Sequence, residues 1–184
     1  MNTLSNALGG TFSHPRENLE KVVVGEGTTV VDLGAGSGHY AQAAAKLTGT
    51  NGRVYAVDIQ HGLVRRLQDL VRTENLHQLE VIHGDVETVG GSKIASGTSD
   101  LTLLCNILFQ VDDREGLIKE AMRVTKDNGR VCVIDWTDSN FGMGPDEERI
   151  VNKDTALSLF EHYATIVSEF DAGDHHYGLL LRKQ

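Results

Sequence analysis

The 184-residue chain is poor in the residues that mark several classes of protein. It has two cysteines, Cys105 and Cys132, 27 positions apart. They form no metal-type cluster, and both lie in strongly apolar runs, which reads as buried free thiols in a reducing cytoplasm. Basic residues are scarce, with 17 Lys and Arg against 26 Asp and Glu and a net charge of −9. That excludes a general basic surface for DNA or RNA, though a local basic patch stays open. No apolar run approaches the ~20 residues that span a bilayer. The N-terminal MNTLSNALGGTFS has neither the apolar core nor the basic region of a secretory signal. Forty per cent of the residues are hydrophobic, enough for one sizeable core. The length fits one domain, taken as residues 14–184, behind a small, polar segment 1–13 that is expected to be mobile.

Strands and helices alternate along the chain. Pro15 opens a short helix, with Leu19, Val22 and Val23 on one side. TTVVDL (28–33) reads as a buried strand. Residues 39–47 read as a helix with Tyr40, Ala43, Ala44 and Leu47 on one face. A strand at 53–59 and a helix at 62–71 follow, the helix facing inward with Leu63, Leu67, Leu70 and Val71. LEVIH (79–83) is a strand and 88–98 a polar, Gly/Ser-rich connection. DLTLLCN (100–106) has no polar alternation and so is buried on both faces. Asp112 and Glu115 have capping-box spacing before a helix carrying Leu117, Ile118, Ala121 and Met122. RVCVIDW (130–136) is a strand, 139–148 a loop, and 153–163 a helix with Ala156, Leu159, Phe160 and Tyr163 inward. The last two strands, 164–170 and 175–183, are joined by DAGD, too short for a helical crossover, so they form an antiparallel hairpin. The sum is an α/β fold, a mostly parallel sheet with a hairpin at one edge.

The densest information lies in Val30-Val31-Asp32-Leu33-Gly34-Ala35-Gly36-Ser37-Gly38. Glycines between a strand and a helix let the backbone turn sharply and let a ligand approach closely. Ligands of open parallel sheets bind outside the carboxyl ends of the strands. A dinucleotide fingerprint would need its third glycine at position 39, which is His39. Asp32 would also repel a pyrophosphate, whereas a ligand carrying an ammonium group would gain a partner. Asp58 ends the second strand and can accept both hydroxyls of a ribose. Asp85 ends the third and can accept from an exocyclic amine. Three acids at successive strand ends, with a glycine turn after the first, describe a nucleoside joined to a cationic amino acid, which is S-adenosylmethionine.

On these residues the chain resembles the class I S-adenosylmethionine-dependent methyltransferases over roughly residues 12–183. VVDLGAGSG, RVYAVDI and GDVE are similar to the first three motifs of that family, DLTLLCNILFQV to its fourth-strand motif and RVTKDNGRVCVIDW to the segment around the fifth. Within it the chain looks most like the small methyltransferases of the quinone-biosynthesis, metalloid and small-molecule groups. The resemblance implies a Rossmann-like three-layer sandwich with seven strands in the order 3-2-1-4-5-7-6, strand 7 antiparallel. It implies Gly34, Ala35, Gly36 and Gly38 under the methionine part and Asp32 near its ammonium. It also implies Asp58 on the ribose, Ile59 against the adenine, Asp85 and Val86 at the adenine amine and ring, and Cys105 and Asn106 on the floor. Two departures stand out. Asp127-Asn128-Gly129 replaces the usual Pro-Gly-Gly. Asn106-Ile107-Leu108-Phe109 replaces an Asn-Pro-Pro-Tyr type motif, which argues against the amino-group methylases of DNA bases and glutamine.

Methyl transfer from a sulfonium is an in-line displacement in which positioning supplies much of the rate, and a base is needed only for an acceptor with a high-pKa proton. Candidate catalytic residues are His14, next to Phe12, before the first helix; Asp135 at the end of strand five, beside Trp136 and Asp138; and His175 and His176 at the start of strand seven. His39 and Tyr40 follow the glycine turn. No metal site can be assembled from the sequence. Residues 138–174 hold nine acidic and two basic side chains, favouring neutral or cationic acceptors over nucleic acid. The expected activity is methylation of a small molecule in the cytoplasm. The rivals are methylation of a protein side chain, a non-catalytic S-adenosylmethionine-binding subunit, and a nicotinamide-dependent oxidoreductase, which the glycine spacing opposes.

Overall fold

The computed structural model describes residues 14–138 and 144–184. The segment 1–13, with Phe12, and the first part of the loop expected at 139–148 lie outside the described residues. In chain order the elements are α1 (Pro15–Lys21), β1 (Thr29–Leu33), α2 (His39–Thr48), β2 (Arg53–Asp58), α3 (His61–Thr73), β3 (Leu79–His83), β4 (Ser99–Cys105), α4 (Arg114–Val124), β5 (Thr125–Trp136), α5 (Lys153–Phe160), β6 (Ala164–Asp171) and β7 (His176–Lys183). A 3-10 turn, Glu147–Arg149, precedes α5.

The seven strands lie in the order β3-β2-β1-β4-β5-β7-β6, as expected. The pairings from β3 to β5 are parallel, and β7 is antiparallel to both β5 and β6. One apolar cluster joins one sheet face to α1–α3 through Leu19, Tyr40, Ala41, Ala44 and Leu67. The other face packs on α4 and α5 through Leu117, Ile118, Ala121, Ala156 and Phe160. Both cysteines are free and buried, as their apolar surroundings imply. Among the described residues no helix is long and apolar enough to cross a membrane.

Several local expectations are corrected. Val23 does not face inward but is 71% exposed, because α1 stops at Lys21 and Val23 takes φ 56, reversing the chain so that Val24 is buried instead. On α3, Leu67 is buried and Leu70 and Val71 pack half-buried against the same cluster as expected, but Leu63 belongs to neither core cluster and Val64 is buried in addition. Asp113, not Asp112, caps α4 by accepting the Gly116 amide at 2.9 Å. Glu115 faces solvent, where it pairs with Lys119 and accepts from the Tyr163 hydroxyl. The helix expected over 153–163 ends at Phe160, and Tyr163 closes a turn by donating its amide to the Phe160 carbonyl. β5 starts directly at Thr125, not at Arg130, and Asn128 takes φ 60 within the Asp127-Asn128-Gly129 stretch.

The 88–98 connection has little apolar content, and Glu120 of α4 holds it. This fully buried carboxylate accepts from the amides of Gly90 (2.7 Å) and Ser92 (3.1 Å) and from the Ser92 hydroxyl, and pairs with Arg123 at 2.8 Å. Burial alone would raise its pKa, but the hydrogen bonds from Arg123, Ser92 and Gly90 outweigh that and hold it at about 2. Glu120→Ala strands Arg123 and three donors, so it should lower stability by about 3–5 kcal/mol at neutral pH. Denaturant titrations at several pH values check this. A carboxyl depressed on folding contributes above its unfolded value of about 4.5, and the contribution is lost as pH falls toward 2. The gap between wild type and variant should therefore narrow with acid.

Candidate functional site

The site grows from the corner after β1. Gly34, Gly36 and Gly38 all take positive φ (77, 55 and 80), which favours glycine. The amides of Gly34 and Ala35 both donate to the Val57 carbonyl, at 2.8 and 2.9 Å, pinning the corner to β2. A Cβ on Gly34 would fall 2.1 Å from the Ile107 side chain, and one on Gly38 2.4 Å from Leu67. A Cβ on Gly36 would meet nothing within 4 Å, because that position opens to the cleft.

Asp58, at the end of β2, is nearly buried. Its Oδ2 accepts the Gly36 amide and its Oδ1 the Gln60 amide, each at 2.8 Å. A carboxylate oxygen has two lone pairs, so each keeps one for a ligand. Asp85 closes its own turn by accepting from the Glu87 amide (3.0 Å) and the Thr88 hydroxyl (2.9 Å).

Asp32 is 1% exposed, and its Oδ2 has no hydrogen-bond partner among the described residues. Burial pushes its pKa up to about 7; the Ala41 amide opposes the shift and the nearby Asp58 charge adds to it. Across the strand ends, Asn106 takes φ 55, donates its amide to the Ile134 carbonyl at 2.7 Å, and leaves its buried Oδ1 equally without a partner. Burial first, then the Asp32 charge, push the Cys105 thiol well up, so it lines the cleft as a neutral group.

Two cavities meet at this corner. The smaller, about 180 Å³, is lined by Pro15, Asp32, Gly34, Ala35, Gly36, Ser37, His39, Tyr40, Cys105, Asn106 and Gln110. The larger, about 430 Å³, is lined by Gly34, Gly36, Asp58, Ile59, Gln60, Leu63, Asp85, Val86, Glu87, Ile107, Gln110 and Val111. Gly34, Gly36 and Gln110 belong to both. Every residue expected at the cofactor is thus on this cleft except Gly38, which instead starts α2 and leaves room for Leu67.

The expected catalytic residues are dispersed. His14 is exposed at the start of α1, where its carbonyl accepts the Asn18 amide, and lines neither cavity. Asp135 is fully buried and also lines neither. It accepts the amides of Trp136 and Leu108, both at 2.9 Å, with Ile107 near, and burial raises its pKa to about 7. It holds the loop after β4 in place. His175 and His176 lie on a separate cavity at the ends of β5 and β7. Among the described residues no three His, Cys, Asp or Glu are grouped to hold a metal. Sequence reasoning missed Gln110, Ile107, Val111 and Leu63. Their signal was positional: the first three follow the middle strand β4, whose carboxyl end faces the ligand.

The methyltransferase domain family matches residues 31–133. Among curated proteins the chain is 32% identical over 112 residues to an uncharacterized 37.1 kDa protein in transposon TN4556 of Streptomyces fradiae, covering 60% of this chain and 31% of that one. It is 25% identical over 125 residues to a demethylmenaquinone methyltransferase of Listeria welshimeri, covering 68% of this chain and 52% of the relative. The chain therefore matches about a third of the length of the first of these relatives and about half of the second. Its fold is shared with a SAM-dependent methyltransferase from Aquifex aeolicus (TM-score 0.86, 22% identity, 94% and 91% of the two chains). It is shared too with the cyclase SpnF (TM-score 0.80, 15% identity, 98% and 91%).

The lone Asp32 oxygen carries a thermodynamic signature. Its folded pKa of about 7 lies above the ordinary 3.8, so the folded chain holds a proton that the unfolded chain has lost. Stability should fall as pH rises through that window, and Asp135 acts in the same sense. Asp32→Asn removes the Asp32 share. Thermal melts should find it as stable as wild type near pH 4 and more stable near pH 8, by up to about 4 kcal/mol.

Proposed function

The chain belongs to the methyltransferase domain family, and from that premise we propose that it transfers the methyl group of S-adenosylmethionine to a small-molecule acceptor. The observation that carries this reading is the pair of acceptor oxygens, Asp32 Oδ2 and Asn106 Oδ1, that have no partner among the described residues and belong to residues lining the smaller cavity. Burying such atoms without donors costs roughly 1–3 kcal/mol each. An ammonium group returns N–H donors and, to Asp32, a countercharge.

The larger cavity fits a nucleoside on independent grounds. Asp58 has lone pairs left for two ribose hydroxyls after bracing the corner. Ile59 is 58% exposed, an apolar side chain left uncovered where a base could lie, and Val86, Ile107 and Val111 add apolar surface. When bound, S-adenosylmethionine supplies a methyl group already activated on a cationic sulfur. The chain's own share is to bind, orient and exclude water. Gln110 stands on both cavities, and its Nε2 donates to the Asn106 carbonyl at 2.6 Å, bracing the wall that the two cavities have in common.

A small acceptor is favoured by two points. The net charge of −9 and the acid-rich 138–174 region oppose nucleic acid. The Listeria relatives are named for methylation of a quinone precursor.

Calorimetry with S-adenosylhomocysteine tests the donor site, since that product keeps the ribose and the ammonium. It should bind, and NAD should not. Asp58→Ala should weaken it about 100-fold. Its affinity should also fall about tenfold per pH unit below 7, because a protonated Asp32 offers no countercharge. Unchanged affinity in Asp58→Ala would refute the assignment.

A further inference from the structure

The lining of the larger cavity follows the strand order: the glycine corner after β1, Asp58 and Ile59 after β2, then Asp85, Val86 and Glu87 after β3. An amino-acid part in the smaller cavity and a ribose on Asp58 leave the base at the β3 end. Two carboxylates stand there, and they are engaged differently. Asp85 uses both oxygens to close its own turn, Oδ1 on the Glu87 amide and Oδ2 on the Thr88 hydroxyl. Glu87 uses only one. Its Oε2 accepts the amides of Asp112 at 2.8 Å and Asp113 at 2.6 Å, while Oε1 accepts no hydrogen bond among the described residues.

Both ends of Glu87 are pinned. The two amides on Oε2 precede α4, whose start is fixed by the Asp113 cap on Gly116. At Gly116 α4 packs directly on the Glu87 backbone, where an added Cβ would collide with the Glu87 carbonyl. The carboxylate is therefore oriented without a ligand. Ionised, it can only accept, so Oε1 calls for an N–H or O–H donor. Adenine offers one in its exocyclic amine. Hypoxanthine carries an oxygen at that place, whose lone pairs would face the carboxylate.

We propose that Glu87, and not Asp85, accepts the exocyclic amine of the donor's adenine through Oε1 and so sets the base specificity of the cleft. The inference rests on the donor reading above and adds how the purine is chosen. A site built to hydrogen-bond an N–H rejects the analogue that lacks it, because the buried acceptor is left without a partner. The brace at Oε2 makes the selectivity reversible by a single atom. In Glu87→Gln the amides of Asp112 and Asp113 still need an oxygen, so they hold the side-chain carbonyl on their side and turn Nε2 toward the base. An acceptor becomes a donor with the shape unchanged.

The full chain is compared with Glu87→Gln and Asp85→Asn, with thermal melts to show that each folds. Calorimetry above pH 7, where Asp32 is ionised, measures S-adenosylhomocysteine and S-inosylhomocysteine, the same molecule with oxygen in place of the amine. If wild type binds neither, the donor reading falls. If it binds S-adenosylhomocysteine, the comparison isolates the base. Wild type should prefer the adenine compound by about 100-fold. In Glu87→Gln that ratio should fall by at least about tenfold, and S-inosylhomocysteine should bind more tightly than it does to wild type. A merely structural role would weaken both ligands together. If Glu87→Gln does not fold, Glu87→Asp carries the test, since its shorter carboxylate withdraws from the base and the ratio should again drop by at least about tenfold. Three results overturn the proposal while leaving the donor reading intact: a wild type that does not distinguish the two ligands, a ratio in the folded Glu87 variant that stays at the wild-type value, or a preference lost in Asp85→Asn and kept in Glu87→Gln.

Discussion

The structure turns on the two hydrogen bonds that Asp58 accepts. One oxygen holds Gly36 in the glycine corner and the other holds Gln60 at the head of α3. A single carboxylate thus sets the distance between the ends of β1 and β2 and orients the wall of the larger cavity. The corner adds its own tie through Val57. Because the groups held are backbone amides, the corner is braced without a ligand.

The opposite wall is built differently. The stretch from Asn106 to Asp113 has no regular structure, yet it is held from several sides. Asp135 accepts from it, Arg114 donates to the Leu108 carbonyl, Arg149 donates to Phe109 and Gln110, and Glu87 accepts the amides of Asp112 and Asp113. These groups come from four separate parts of the chain. That is why Asp135 sits in the interior without touching either cavity of the donor cleft, although a polar residue at a strand end looked like a candidate for the chemistry.

The contrast explains what was legible in the sequence. Strand order and the glycine corner could be read because they follow from local pattern: apolar runs, alternation, and glycines at set spacing. Asp32, Asp58 and Asp85 stand at strand ends, so their register placed them on one edge. Gln110 and Ile107 could not be found in this way, since the loop that presents them is shaped by contacts remote in sequence. The same holds for smaller details. Val23 is turned outward by its own left-handed backbone after α1, and Asp113 displaces Asp112 as the cap because α4 begins at Arg114. Leu63 had the right period for the core but sits where α3 faces the larger cavity.

The missing side chain at Gly34 has a consequence for how such a sequence can change. The volume that a methyl group would take there is filled by Ile107, whose nearest carbon would be 2.1 Å away. The two positions behave as a lock whose halves come from segments more than seventy residues apart. A larger residue at 34 is admissible only together with a smaller one at 107, so drift at either should be correlated across descendants. The positive φ of Gly34 makes even that joint route narrow.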